Sequence, residues 1–167
     1  MTLTTCRECR GQASVQAVAC PHCGAPYPAR GDWRGFGVDW RTRTTFRGYP
    51  LVHVSFGRDA NGRTRVARGV VAIGQFAVGV VALAQFGVAF LFGIGQFVLA
   101  PFVVAQFAVA LLLGVGQFAT GFVAIGQLAV GWYVLAMWGA GLHLCTAAVR
   151  DPQAAAIFRR LGELVKW

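Results

Sequence analysis

The sequence predicts a mainly-β protein: a small cysteine module, a β-solenoid shaped as a quadrilateral β-helix with about 21 residues per coil, and a short C-terminal helix. Two observations favour this fold. Residues 69–149 contain no Asp, Glu, Lys or Arg, and glutamines recur through this block at alternating intervals of ten and eleven positions. The alternative is a polytopic α-helical membrane bundle, because a 21-residue helix spans about 31 Å, close to a bilayer's thickness.

The first element, residues 1–28, contains two C-x2-C pairs separated by ten residues. Two such pairs let four thiolates bind one Zn²⁺ ion in a closed tetrahedral site, which leaves no position for a substrate. The predicted zinc ligands are Cys6, Cys9, Cys20 and Cys23. We expect His22, inside the second pair, to form a hydrogen bond or face solvent. No signal peptide is evident at the polar start, so we expect this zinc ribbon in the reducing cytoplasm.

Residues 20–26, Cys-Pro-His-Cys-Gly-Ala-Pro, closely resemble the bacterial zinc-ribbon module. This resemblance implies a small recognition or scaffolding module that binds a protein partner. Residues 48–57 and 68–74 also resemble a group of bacterial zinc-ribbon proteins in which a Pro-Leu-Val-His-Ile lead-in precedes glycine-rich Ala-Ile-Gly repeats. That second resemblance covers most of the chain and implies no particular activity.

Arginine dominates the next two segments. Residues 29–50 form an Arg- and aromatic-rich linker, and residues 51–68 alternate like a β-hairpin that leads into or caps the repeat. Asn61-Gly62 favours the positive φ angles of the hairpin turn. Net charge is +9, and the charges flank the apolar block, which suits lipid headgroups or nucleic-acid phosphates. The arginines expected to contact headgroups or another anion are Arg41, Arg43, Arg47, Arg63, Arg65 and Arg68.

The repeat domain, residues 69–145, is built from five-residue units: any residue, large apolar, small or apolar, large apolar, then Gly or Ala. Every fourth unit gains one residue, so the period is 21 and four units make a roughly square coil. The spacing resembles the pentapeptide-repeat β-helix, in which a small residue and a large apolar residue two positions later face inward, as Gly74 and Phe76 would. The opposite register, with Phe76 and Val78 inward, is the other option.

Stacked 21-residue coils would place the glutamines in two ladders on opposite sides, with amide hydrogen bonds between coils. The first ladder would contain Gln75, Gln96 and Gln117, and the second Gln85, Gln106 and Gln127. Residues 69–140 would make about 3.4 such coils, or roughly 16 Å, which is short of a ~30 Å hydrocarbon core.

Residues 150–167 predict an amphipathic helix with Asp151 as N-cap and Pro152 in the first turn. Its apolar face would contain Ile157, Phe158, Leu161, Leu164 and Val165.

No nucleophile motif, carboxylate pair or phosphate loop is evident, so we expect no enzyme activity. We expect a structural role for His53, and Cys145 reads as a small buried apolar residue. The expected function is that of a membrane-associated structural or scaffold protein whose repeat embeds in the lipid bilayer or forms a homo-oligomer. The alternatives are a nucleic-acid-binding protein that uses the arginines, and a small helical transporter or channel.

Overall fold

The structure is a computed structural model that describes residues 2–165, without the side chains of Leu164 and Val165. It is mainly β with a short C-terminal helix, as predicted. The elements in chain order are β1 (Leu3–Thr5), β2 (Gln12–Ser14), β3 (Phe36–Arg41), β4 (Thr45–Phe46), β5 (Tyr49–Pro50), β6 (Val52–Arg58), β7 (Val66–Cys145) and α1 (Pro152–Val165). The apolar block has β-strand backbone as far as Cys145, so the alternative of a helical bundle is wrong. Within the described residues, no helix is both long enough and apolar enough to cross a membrane.

The chain forms two compact units, and the first contains Met1–Phe36 and Arg58–Arg63. In it β1 and β2 pair antiparallel, with Thr4 opposite Ala13. An aromatic cluster of Tyr27, Trp33 and Phe36 follows the cysteine module. The Trp33 ring lies 4.7 Å from the Tyr27 ring and 4.6 Å from the Phe36 ring, measured between centroids. The predicted zinc ribbon ended at residue 28. Because these ring contacts join Tyr27 to Trp33 and Phe36, the compact unit extends further, to Phe36.

The second unit contains Gly37–Gly57 and Thr64–Trp167. Its strands β4 and β5 form a tight hairpin whose two turn residues, Arg47 and Gly48, have φ angles of 51° and 83°. Positive φ at both turn positions matches the twist of the flanking strands. The segment predicted as a linker therefore contains a small hairpin.

Strand β6 pairs in parallel with β7, and Val52 lies opposite Val71. The predicted turn is present, because the Gly62 N–H donates to the Asp59 carbonyl at 3.0 Å and Gly62 has a φ of 77°. Around this turn the Asp59 N–H donates to the Arg63 carbonyl at 2.8 Å and the Arg65 N–H to the Gly57 carbonyl at 2.9 Å, so the end of β6 forms a hairpin. The earlier part of β6, from Val52 to Ser55, pairs in parallel with β7 instead.

The core of β7 consists of small side chains spaced five or, across an inserted residue, six positions apart. Neighbouring large side chains stay at the surface: Phe76 is 40% exposed and Val78 39%. Both predicted registers are therefore wrong, since each placed Phe76 inward. The third residue of most units is buried, and these positions include Ala67, Ala72, Ala77, Ala82, Val98, Val103, Ala108, Ala119, Ala124, Ala129 and Val134. The fifth residue is buried as well at Ala84, Ala89, Ala100 and Ala105.

Residues that touch along β7 are ten or eleven positions apart. A Cβ atom added to Gly79 would lie 2.5 Å from the carbonyl oxygen of Gly69. Gln106 and Gln117, predicted on opposite sides, line the same surface depression. Ring centroids 5.3–6.3 Å apart link Phe76, Phe86, Phe97, Phe107 and Phe118 in succession. The predicted 21-residue coil with two glutamine ladders is wrong, because an interior lined by alanine is too narrow for four sides.

Helix α1 starts where predicted. The Asp151 carboxylate accepts the N–H groups of Gln153 at 2.7 Å and Ala154 at 3.2 Å, as an N-cap does. Ala154 is fully buried, while the predicted apolar residues Ile157 and Phe158 are half-buried. The predicted contribution of the Leu164 and Val165 side chains, and of residues 166–167, lies outside the described part of the chain.

Candidate metal centre

The four predicted ligands come together in the first unit. The sulfur atoms of Cys6, Cys9, Cys20 and Cys23 all lie within 4.8 Å of one another. Cys6 and Cys23 are 3.8 Å apart at their sulfurs, and Cys9 and Cys20 are 3.7 Å apart. A tetrahedral ion with metal–sulfur bonds of about 2.3 Å requires sulfur–sulfur edges of about 3.8 Å. The tetrad is therefore positioned to bind a metal ion.

Each C-x2-C pair is held by the same turn. The N–H groups of Arg10 and Gly24 donate to the carbonyls of Cys6 and Cys20, at 3.0 and 2.9 Å. Arg10 and Gly24 occupy equivalent positions, directly after the second cysteine of their pair, and both have positive φ, at 61° and 75°. The Glu8 N–H points at the Cys6 sulfur from 3.4 Å. This repeated turn lets both thiols of a pair face one point.

Backbone N–H groups also tune the thiols. Burial raises the pKa of Cys20, but N–H donation from His22 and Cys23 outweighs it and leaves that pKa at about 7. The Gly11 N–H lowers the pKa of Cys9, yet hydrogen bonding to Cys23, together with burial, raises it to about 12. Of these two thiols Cys20 ionises more readily, and a metal must displace the proton of Cys9.

The surroundings of the tetrad match a structural site. Cys6 and Cys20 are buried, and Cys9 and Cys23 are exposed. The His22 ring lies against the Gln12 carbonyl, with Nε2 at 3.2 Å, so this histidine forms a hydrogen bond as expected. With four thiols within 4.8 Å of one another, the donor set fits Zn²⁺ and is complete without a substrate.

The second unit contains five of the six arginines predicted to contact anions, and Arg63 belongs to the first unit. Arg65 donates to Asp39 at 2.9 Å, and the other carboxylate oxygen of Asp39 accepts the His53 Nε2–H at 2.7 Å. The backbone N–H of Arg68 donates to His53 Nδ1 at 2.8 Å, which places the imidazole proton on Nε2. The hydrogen bond from His53, together with the positive charges of Arg65 and Arg41, holds the pKa of Asp39 below its usual value. Arg65 is therefore committed to this cluster.

The other five arginines of that set, Arg41, Arg43, Arg47, Arg63 and Arg68, are exposed. Sequence reasoning did not find that Arg47 and Arg68 border one groove. The Arg47-Gly48 dipeptide could have indicated this arrangement, since Gly48 favours a tight turn that reverses the direction of the chain.

The glutamines of the repeat lie at the surface. Gln75 is half-buried and the other five are exposed. Among the described residues no hydrogen bond joins two of these side chains, so their amides are available to solvent or to another molecule.

Comparison with protein families, with curated proteins and with solved structures found no match.

Proposed function

We propose that the protein is a non-enzymatic, membrane-associated scaffold. In this proposal the cysteine tetrad binds a structural zinc ion in the cytoplasm and presents a surface for a protein partner. The apolar block embeds in the lipid bilayer as a two-sided β-solenoid. The observation that carries the proposal is the array of large apolar side chains exposed along residues 69–149, a segment without a single charged residue.

The proposed solenoid has turns of ten or eleven positions, with one five- or six-residue unit on each side. Such a turn brings Gly69 beside Gly79 and stacks Phe76 on Phe86, as the contacts require. The two sides meet through the small third residues, such as Ala77 and Ala82, which are fully buried. Successive turns pair in parallel, as β6 already pairs with the start of β7.

The exposed surface is too large and too apolar to be left in water. Phe90 is 73% exposed and Leu111 72% exposed, and both lie in the uncharged block. Apolar patches of more than a few hundred Å² mark a surface that another phase or molecule covers.

The length of the uncharged block suits a bilayer. With a turn every ten or eleven positions, residues 69–149 make between seven and eight turns, or ~36 Å at ~4.8 Å per turn. The hydrocarbon core of a bilayer is ~30 Å thick. A solenoid pairs its backbone groups between turns, so its sides meet the requirement that lipid-exposed backbone be hydrogen-bonded. Arg68 and Arg150 then stand at the two ends of the block, where headgroups would meet them.

Zinc would act on folding. A bound ion links the two C-x2-C turns and stabilises a module too small for a large apolar core. The complete thiol set argues for a surface that recognises a partner over one that performs chemistry.

Membrane fractionation tests the proposal. The full chain should remain in the membrane pellet after carbonate and after high salt, because apolar burial is insensitive to both. Replacement of Phe90, Leu111 and Leu128 by serine should shift part of the protein to the supernatant. Leu3→Ser, an equally drastic change at an exposed residue of the first unit, is the matched control. Release of the unchanged protein by salt alone contradicts the proposal.

A further inference from the structure

A groove in the second unit lies between the β4–β5 hairpin and the first turns of β7. We call it the hairpin groove, and its walls include Phe46, Arg47, Tyr49, Arg68, Val80 and Phe90. Its volume is about 550 Å³, within the range of ligand sites. We propose that the hairpin groove binds an anionic phospholipid, with the phosphate between Arg47 and Arg68 and an acyl chain on Val80 and Phe90. This inference deepens the proposed membrane association and rests on it.

The charges of the groove are positive and uncompensated. Neither Arg47 nor Arg68 forms an ion pair with any of residues 2–165, and no acidic side chain lines the groove. The nearby carboxylate of Asp39 is already shared by His53 and Arg65. Guanidinium groups bind phosphate oxygens through paired, charge-assisted hydrogen bonds. The groove therefore selects an anion at its rim.

The turn geometry presents one of these arginines. Arg47 sits at the tip of the hairpin with a φ of 51°, and its guanidinium lies 5.9 Å from the Phe46 ring centroid. Stacking on the ring limits the positions that the Arg47 side chain can adopt. Arg68 is the last charge before the uncharged block, so the two arginines mark the level at which headgroups would begin.

The floor of the groove selects a hydrocarbon chain. Val78 and Val80 lie about one turn beyond Arg68, and Phe90 about one turn further. All three side chains are exposed. The apolar floor continues into the exposed surface of the uncharged block, which a free phosphate ion would leave uncovered. An anionic phospholipid matches both the rim and the floor.

Lipid binding to the full chain in neutral detergent micelles tests the proposal. Phosphatidylglycerol should raise the unfolding temperature and appear as a retained adduct in native mass spectrometry. Phosphatidylcholine at the same mole fraction should do so much less. One arginine near a membrane surface contributes about 1 kcal/mol. Arg47→Gln and Arg68→Gln should therefore each weaken phosphatidylglycerol binding about fivefold, and together about 25-fold.

The matched control is the pair Arg41→Gln and Arg43→Gln, which removes two exposed arginines outside the groove. Phe90→Ala should weaken both lipids, whereas Leu111→Ala, at an equally exposed residue two turns away, should weaken neither at this site. Equal binding of the two lipids, equal losses in the control pair, or full competition by inorganic phosphate would overturn the proposal. Binding in micelles does not depend on membrane embedding, because the micelle presents the lipid directly. If carbonate extracts the chain from membranes but the chain still binds phosphatidylglycerol selectively, the lipid site in the groove stands and only the proposal of membrane embedding is refuted.

Discussion

A single methyl group tests the spacing of the turns. Gly79 lies against the backbone of Gly69, ten residues earlier, and its added Cβ atom would also lie 3.1 Å from the Ala72 side chain. Gly87, in the same strand, has no backbone atom closer to its added Cβ than 3.8 Å, at the Ala77 carbonyl, and its nearest neighbour is the Ala84 Cβ atom at 3.3 Å, only about 0.1 Å inside ordinary contact. Gly79→Ala and Gly87→Ala are therefore the same substitution in two different environments.

The expected cost follows from the distance. Ordinary contact begins at about 3.4 Å, so the 2.5 Å approach to the Gly69 oxygen requires a shift of about 0.9 Å. A shift of that size would lengthen a ~2.9 Å hydrogen bond between turns beyond its effective range, which costs ~1 kcal/mol, and overpacking adds ~1–3 kcal/mol. The loss of a flexible glycine offsets ~0.5–1 kcal/mol of this. We expect Gly79→Ala to destabilise the fold by about 2 kcal/mol, and Gly87→Ala to change it by less than about 0.5 kcal/mol.

Thermal unfolding in detergent, followed by the far-ultraviolet circular dichroism of the β-sheet, measures the difference. In a chain of this length 1 kcal/mol shifts the midpoint by about 2–4 °C. Gly79→Ala should unfold about 4–8 °C below the unchanged protein, and Gly87→Ala within about 2 °C of it. Equal midpoints for the two variants would refute contact between residues ten positions apart.

Three further outcomes are expected. The purified chain should contain zinc by elemental analysis, and Cys6→Ser should lose it while Cys145→Ser, outside the tetrad, should keep it. The pKa of Asp151 is lowered by hydrogen bonds from His143 and from the helix N–H groups, so its stabilisation is present above the unfolded value of about 3.9 and lost as the pH falls through the folded value. Helix content should therefore drop in acid below about pH 4, and less steeply in Asp151→Asn. Asp39→Asn should lower the unfolding midpoint by about 1–3 °C, because it removes the carboxylate charge that Arg65 and His53 share.

Each of these outcomes has a control or a contrary result. Zinc retained in Cys6→Ser would show that the tetrad is not the metal site. An acid transition unchanged in Asp151→Asn would assign it to another group. Arg43→Gln removes an exposed arginine that makes no ion pair within residues 2–165. An equal loss of stability in that variant would show that the Asp39 cluster contributes nothing specific.

Local patterns were read correctly from the sequence. The C-x2-C pairs predicted the tetrad because their spacing dictates the turn, and Asp151-Pro152 predicted the start of α1 because capping depends on adjacent residues. The five-residue period was also found, since the sequence repeats it. The sequence did not predict which residue of the unit faces inward, because Phe76 and Ala77 are both apolar and hydropathy does not distinguish them. The pairing of β6 depends on a partner nineteen residues away, which no local pattern reveals.

The size of the third residue favours the proposed two-sided solenoid over the square coil. A square coil has an interior that only large side chains fill, and empty space costs stability in proportion to its volume. The third residue of the unit is alanine or glycine in most repeats, as in Ala77, Ala82, Gly87 and Ala124. Alanines on facing strands meet only if two sheets lie directly against each other, so a unit can have one neighbour across the core. In the proposed solenoid two units therefore complete a turn, the extra residue falls in alternate turns, and the glutamines recur once per turn at intervals of ten and eleven.

The same step changes what the uncharged block can do. With the 21-residue coil its stack would be about half as tall as with the shorter turn, and too short for a bilayer. With the shorter turn the large side chains, Phe90 and Leu111 among them, are displaced outward by the narrow core and cover a height comparable to the hydrocarbon layer. The narrow core and the exposed apolar surface thus have one cause. When small residues such as alanine occupy the interior, the large apolar side chains must lie at the surface. We propose that a lipid phase covers this surface, and further copies of the chain are the alternative cover. Resistance to carbonate extraction is expected in the first case and not in the second.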